Sequence, residues 1–173
     1  MSIVDIINLT AGACFVIYIL LWVKGRFFNV YTETPFGFKA QLIYSDSGRK
    51  SKIFTSAKFG LAAKPDFIYR LASGEFVLIE YKSRKGRVYP SDIQQVIAAI
   101  IATRSMYPIS QAYIYTDTTS LAVDATSSDV ELFDSIKYNF YLTKRIKEGK
   151  KVDVCYKSEY KCNTCSMKEK CYL

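Results

Sequence analysis

The chain contains no histidine. That absence excludes catalysis by a serine–histidine or cysteine–histidine pair, and it excludes zinc held by imidazole. A general base must then be lysine, glutamate, aspartate or a metal-bound water. Acidic residues are in the minority, 16 against 24 lysines and arginines, giving a formal charge of +8 and a pI near 9.2. So basic a balance favours a polyanionic partner, nucleic acid or anionic lipid. The five cysteines are an odd number, and four of them fall in the last nineteen residues. That distribution is not a secreted disulfide framework. Internal repeats are absent. Half of the 173 residues are hydrophobic, enough for one domain with a core and appendages.

Charge is also missing from the eighteen residues Ile6 to Val23, which carry Trp22 near their end and are followed at once by Lys24 and Arg26. That length meets the lower limit for a membrane-spanning helix. No basic residue precedes the run, and no small-residue cleavage site stands out, so a cleaved signal peptide is not expected. The positive flank follows the run, which places the domain on the cytoplasmic face of the cell membrane. A buried first helix of a soluble cytoplasmic domain is the other reading, and Asn8, Thr10 and Gly12 favour it.

The segment AKPDFIYRLASGEFVLIEYKSRKG reads as one β-hairpin. Phe67–Leu71 and Glu75–Tyr81 are apolar, β-prone runs, and Ala72-Ser73-Gly74 between them is a turn signal. Folding about Ser73 sets Asp66 opposite Glu80. Alternation puts Glu80 and Lys82 on one face and Tyr81 on the other. Opposed residues have Cβ atoms about 5 Å apart, where like charges repel. Two facing carboxylates beside an ammonium are costly unless a cation lies between them. The residues therefore point to a divalent-metal site with two hard oxygen ligands. Taken alone, an E-x-K in a strand is also an ordinary charged edge.

Upstream, Phe36–Tyr44 and Lys52–Phe54 read as strands separated by the polar turn Ser45-Asp46-Ser47-Gly48. Downstream, Arg84 to Tyr89 is a basic loop. Ser91 or Asp92 caps a helix whose apolar face is Ile93, Val96, Ile97, Ile100 and Ile101. Gln111–Thr116 is a further strand, and Leu121–Val123 extends the sheet. Ser127 or Ser128 caps a second helix, with Val130, Phe133, Ile136 and Phe140 inward and Gly149 at its close. Strands apolar on both faces are covered on both sides, so an α/β sandwich is expected. Three regions follow: a hydrophobic helix and membrane anchor over 1–28, the domain over 29–149, and a cysteine-bearing tail over 150–173.

From about Gly60 onward the motifs resemble the PD-(D/E)XK nucleases. GLAAKPDFI followed by VLIEYK resembles motifs II and III of the RecB-like branch, nearest to the CRISPR-associated RecB-like exonuclease. The resemblance implies a restriction-endonuclease-like core, a mixed central sheet flanked by helices. It implies Mg²⁺ or Mn²⁺ held by Asp66, Glu80 and the backbone carbonyl of Tyr81, with Lys82 orienting the attacking water. In Asp92-Ile93-Gln94-Gln95 it implies a helical glutamine that steadies substrate or Lys82, Gln95 being better placed than Gln94. The activity implied is metal-dependent DNA cleavage, by an exonuclease, in CRISPR adaptation, defence or repair, alongside other proteins of those pathways. Three departures stand out. The family's upstream histidine or acid is missing, with Glu33 the nearest candidate. The family's tyrosine four residues after the glutamine is Ala99. The family's first cluster cysteine would be Cys14, inside the apolar segment. The missing histidine and Ala99 favour the alternative, a non-catalytic, membrane-tethered nucleic-acid-binding module on the same fold; the intact Asp66, Glu80 and Lys82 oppose it.

The tail reads C-x6-C-x2-C-x5-C over Cys155, Cys162, Cys165 and Cys171. Four thiolates so close suit tetrahedral zinc or an iron–sulfur cluster, and spacing does not separate them. The resemblance implies a [4Fe-4S] cluster, with Cys155 or Cys14 as fourth ligand. Arg84, Lys85 and Arg87 leave the strand directly after Lys82, where a DNA backbone would pass. The lysines from Lys144 onward suit DNA, an anionic membrane surface or simply a solvated helix face. Protein purified anaerobically is expected to be brown and to absorb at about 400 nm; a colourless, zinc-loaded protein would contradict the cluster.

Overall fold

The structure, a computed structural model, describes residues 12–22, 31–47 and 51–150, with 152, 163 and 165 singly. Helix α1 covers 12–22. The elements that follow are β1 (Thr32–Glu33), β2 (Lys39–Ser45), β3 (Phe54–Ser56), β4 (Leu61–Ala63), β5 (Phe67–Arg70) and β6 (Phe76–Lys82). After these come α2 (Pro90–Thr103), β7 (Ile109–Thr116), β8 (Ser120–Val123) and α3 (Asp129–Lys147). Six strands form one mixed sheet in the order β1-β2-β5-β6-β7-β8, and β3 with β4 makes a separate two-stranded ribbon. Among the described residues only the β6–β7 pair is parallel. A parallel pair needs a crossover, and α2 supplies it. The class is α/β, as the pattern implies.

The β5–β6 hairpin forms about the expected turn. Gly74 has φ of +92°, which glycine adopts without strain, and its N–H donates to the Leu71 carbonyl at 2.9 Å. Central β6 has Leu78 on one face and Val77 and Ile79 on the other, all buried. On the Leu78 face lies the main core, where α2 contributes Val96, Ile97, Ile100 and Ile101 and α3 contributes Leu132 and Ile136. The β3–β4 ribbon, of which only part of the first strand is legible in the sequence, adds Phe54 and Leu61 to this side.

The opposite face departs from the expected sandwich. Among the described residues no helix covers it; Phe36 and Phe38 from the turn between β1 and β2 lie over Tyr69, Val77 and Ile79, with Phe67, Tyr113 and Tyr115 beside them. Aromatic side chains are large enough to seal a sheet face that has no helix.

One of the two helix starts differs from the sequence reading: the N-cap of α2 is Tyr89, not Ser91 or Asp92. Helix α2 begins at Pro90, whose fixed φ suits the first helical position, and Asp92 reaches back to accept the Tyr89 N–H at 2.7 Å. Helix α3 starts as expected at Ser128, which exchanges hydrogen bonds with Glu131. Val130, expected inward, is exposed, because Leu132 and Ile136 stand four apart on the buried stripe and Val130 is turned away from it. Gly149 closes the helix with φ of +74°.

Residues 12–22 are exposed along their whole helix. Among the described residues no helix is long and apolar enough to cross a membrane. The remainder of the 6–23 segment lies outside the described residues. Removing core volume at the sheet centre is the sharpest check on this packing. Leu78→Ala is expected to cost about 2–5 kcal/mol in urea unfolding, whereas Leu121→Ala, on an exposed side chain, stays within about 0.5 kcal/mol.

Candidate active site

The β5–β6 register pairs Phe67 with Ile79 and Ile68 with Leu78, and its continuation sets Asp66 opposite Glu80. The Tyr81 N–H donates to Asp66 Oδ2 at 2.7 Å, which ties the carboxylate to the neighbouring strand. Leu78, Glu80 and Lys82 alternate onto the α2 face, and Tyr81 faces the aromatic side, its ring 6.5 Å from that of Phe36. Both halves of the hairpin expectation are therefore met.

Glu80 is only 2% exposed. Its Oε1 accepts from Lys82 Nζ at 2.8 Å and from Gln95 Nε2 at 2.6 Å. Lys82 Nζ also donates to Gln95 Oε1 at 2.8 Å. These bonds close a triangle in which one helix residue fixes both strand residues. Gln95 occupies this position, and Gln94 does not. The second oxygen of Glu80, Oε2, is buried and has no hydrogen-bond partner among the described residues.

Burial pushes the Glu80 carboxyl above its ordinary value; the Lys82 ammonium and, more weakly, the Asp66 main chain oppose the shift, and the nearby Asp66 charge adds to it. An unmatched buried acceptor costs about 1–3 kcal/mol, and more when charged. A hard cation beside Oε2 would offset that cost, and Asp66 supplies a second hard oxygen. Among the described residues no three carboxylates or thiolates gather as a metal-holding group. A cation here would therefore rely on Asp66, Glu80 and main-chain oxygen.

Of the expected DNA contacts, Lys85 and Arg87 are exposed. Arg84 is already engaged: it pairs with the buried Asp92 and lies 4.9 Å from the Tyr89 ring centroid. Its place after Lys82 made it look free, but the start of α2 claims it. The loop is further held by Gly86 N–H donating to Thr118 Oγ1 at 3.0 Å and Asp117 N–H donating to the Arg84 carbonyl at 3.1 Å. Glu33 is not brought to the pair. It is exposed on edge strand β1 opposite Lys39, at the start of β2, whereas Ser45 at the far end of β2 stands beside Phe67. Six residues of strand separate those ends, about 20 Å. Ala99 is buried in the core. Cys14 and Cys165 are exposed and free. Cys155, Cys162 and Cys171 lie outside the described residues.

One neighbour escaped the sequence reading. The Asp46 N–H donates to the Asp66 carbonyl at 2.9 Å, placing Asp46 on the strand beside Asp66. Its Oδ1 takes Lys64 Nζ and Ser51 Oγ, each at 2.6 Å, and these bonds hold its carboxyl below its ordinary value. Asp46, Asp66 and Tyr81 line one recess of about 300 Å³.

No family model matches the chain, and no curated protein matches it.

The raised Glu80 carboxyl has a signed consequence. Without a divalent cation, the stability linked to Glu80 is fully present below the ordinary value of 4.5 and is lost as pH rises through the higher folded-state value. Glu80→Gln removes that titration. Thermal midpoints in EDTA are expected to fall with pH across this window more steeply for the wild type than for Glu80→Gln; parallel curves would contradict the burial argument.

Proposed function

We propose that this chain is a metal-dependent phosphodiester hydrolase acting on DNA, built on the PD-(D/E)XK nuclease core and working as an exonuclease. The observation that carries this reading is the orphaned Glu80 Oε2, buried, set across from Asp66 and flanked by Lys82. The residues fit a divalent cation of the Mg²⁺ or Mn²⁺ kind, held by Asp66, Glu80 and the Tyr81 main-chain carbonyl. In a strand the carbonyl and N–H of one residue face the same neighbour, so the Tyr81 carbonyl turns toward Asp66 as its N–H does.

When bound, such a cation lowers the pKa of a coordinated water and polarises a phosphodiester. The protein's own groups supply the rest. Lys82 spends two N–H bonds on Glu80 and Gln95 and keeps its third for the attacking water or a phosphate oxygen. Gln95 fixes the direction of that third bond. Lys85 and Arg87 stand exposed to meet the phosphate backbone.

The cysteine tail would hold a [4Fe-4S] cluster, with zinc as its rival. The apolar segment over 6–23 would tether the enzyme to the cytoplasmic face of the membrane. DNA and the proteins of CRISPR adaptation, defence or repair are the partners implied. With Mn²⁺, the purified protein is expected to degrade DNA, and Asp66→Ala and Lys82→Ala are each expected to slow it by about 100-fold or more. Cutting by Asp66→Ala at the wild-type rate would overturn the assignment. DNA binding without cleavage by the wild type would favour a binding module on the same fold.

A further inference from the structure

A cavity of about 770 Å³ lies between the turn of the β3–β4 ribbon, α2 and α3, and it opens onto Gln95. Gln95 belongs to the catalytic triangle, so the cleft and the nucleolytic pair share a wall. Phe59, Phe140 and Tyr141 line one side of the cleft, joined through Phe133 behind them in a chain of mostly edge-to-face ring contacts. Phe59 from the ribbon turn lies 4.9 Å from Phe133, which lies 5.5 Å from Phe140, which lies 5.3 Å from Tyr141. Tyr141 ends this series of rings 53% exposed. Lys144 and Lys147, one and two helical turns beyond Phe140, supply positive charge at the rim, and Gln94 adds an amide.

Core packing accounts for the inner rings but not for a half-exposed tyrosine ending the series beside two lysines. An exposed aromatic ring with cations beside it is what unpaired nucleobases and their phosphates require. The volume suits a ligand of a few nucleotide-sized groups rather than a duplex.

We propose that this cleft is a nucleobase-stacking subsite. It takes an unpaired stretch of the strand being cut, its bases on Tyr141 and Phe140 and its phosphates on Lys144 and Lys147, and it delivers the chain past Gln95 to Lys82. The inference rests on the nuclease reading for its substrate, but binding can be measured without cleavage.

The test is fluorescence anisotropy in EDTA with three labelled probes: a short oligothymidylate, an abasic strand of equal length and a matched duplex. Oligothymidylate is expected to bind more tightly than the other two. Tyr141→Ala is expected to weaken oligothymidylate binding by about 10- to 100-fold and to leave the abasic strand unchanged. Tyr141→Phe, which keeps the ring, is expected to bind as the wild type does. Lys144→Ala/Lys147→Ala is expected to weaken both single strands and reduce the salt dependence. The subsite is overturned if Tyr141→Ala, with an unchanged thermal midpoint, binds oligothymidylate as the wild type does. It is equally overturned if the abasic strand and the duplex bind as tightly as oligothymidylate. A protein that cuts DNA but shows no Tyr141 dependence sinks the subsite alone. One that never cuts but binds in a Tyr141-dependent way sinks the nuclease reading alone.

Discussion

The carboxylate of Glu80 sits where water does not reach, across from a second carboxylate, with one oxygen satisfied and the other not. The surrounding fold is arranged to hold it there. The β5–β6 hairpin fixes Asp66 opposite. The parallel β6–β7 pair buries β6 on both faces and demands a crossover helix, and that helix carries Gln95. In open α/β sheets ligands gather beyond the carboxyl ends of strands, and Glu80 and Lys82 stand at that end of β6. An ionised group in such a place weakens the fold; its retention fits a site shaped for a charge that arrives from outside.

The neighbouring contacts limit how far the site can move. Asp92 takes Arg84 and the Tyr89 N–H, so the exit of β6 and the first turn of α2 are tied together one turn from Gln95. The Tyr81 hydroxyl donates to Asp117 at 2.6 Å, fastening the same strand end to the turn after β7. On the reverse side Phe36 touches the rings of Phe67, Tyr69, Tyr81 and Tyr115. Rigid elements on both sides hold a polar cluster in one geometry, as preorganised electrostatics requires.

The hairpin was legible because its pairing is local: a turn signal and a period of two set Asp66 against Glu80 without reference to the rest of the chain. Helix α2 was legible from its 3.6-residue periodicity, whereas Gln95 was singled out by the family resemblance and not by any local pattern. Asp46 was not, because it reaches Asp66 through the β2–β5 pairing, which joins distant residues and shifts register between Leu42 and Tyr44. Arg84 looked free for DNA because nothing in its own segment reveals Asp92 folding back upon it. The aromatic cover of the second face, and the ring contacts from Phe59 to Tyr141, likewise depend on contacts that no local pattern encodes. The cysteine tail rests on spacing alone.

Because burial raises the Glu80 carboxyl above its ordinary value, cation binding is expected to release a proton wherever that carboxyl is protonated. Calorimetric titration of the wild type with Mn²⁺, repeated in buffers of different ionisation enthalpy, measures both events together. The expected result is saturable binding with proton release that fades as pH rises past the Glu80 titration, and loss of both in Asp66→Asn. Absence of Mn²⁺ binding, or binding that Asp66→Asn leaves intact, would contradict the assignment of Asp66 and Glu80 as a cation site.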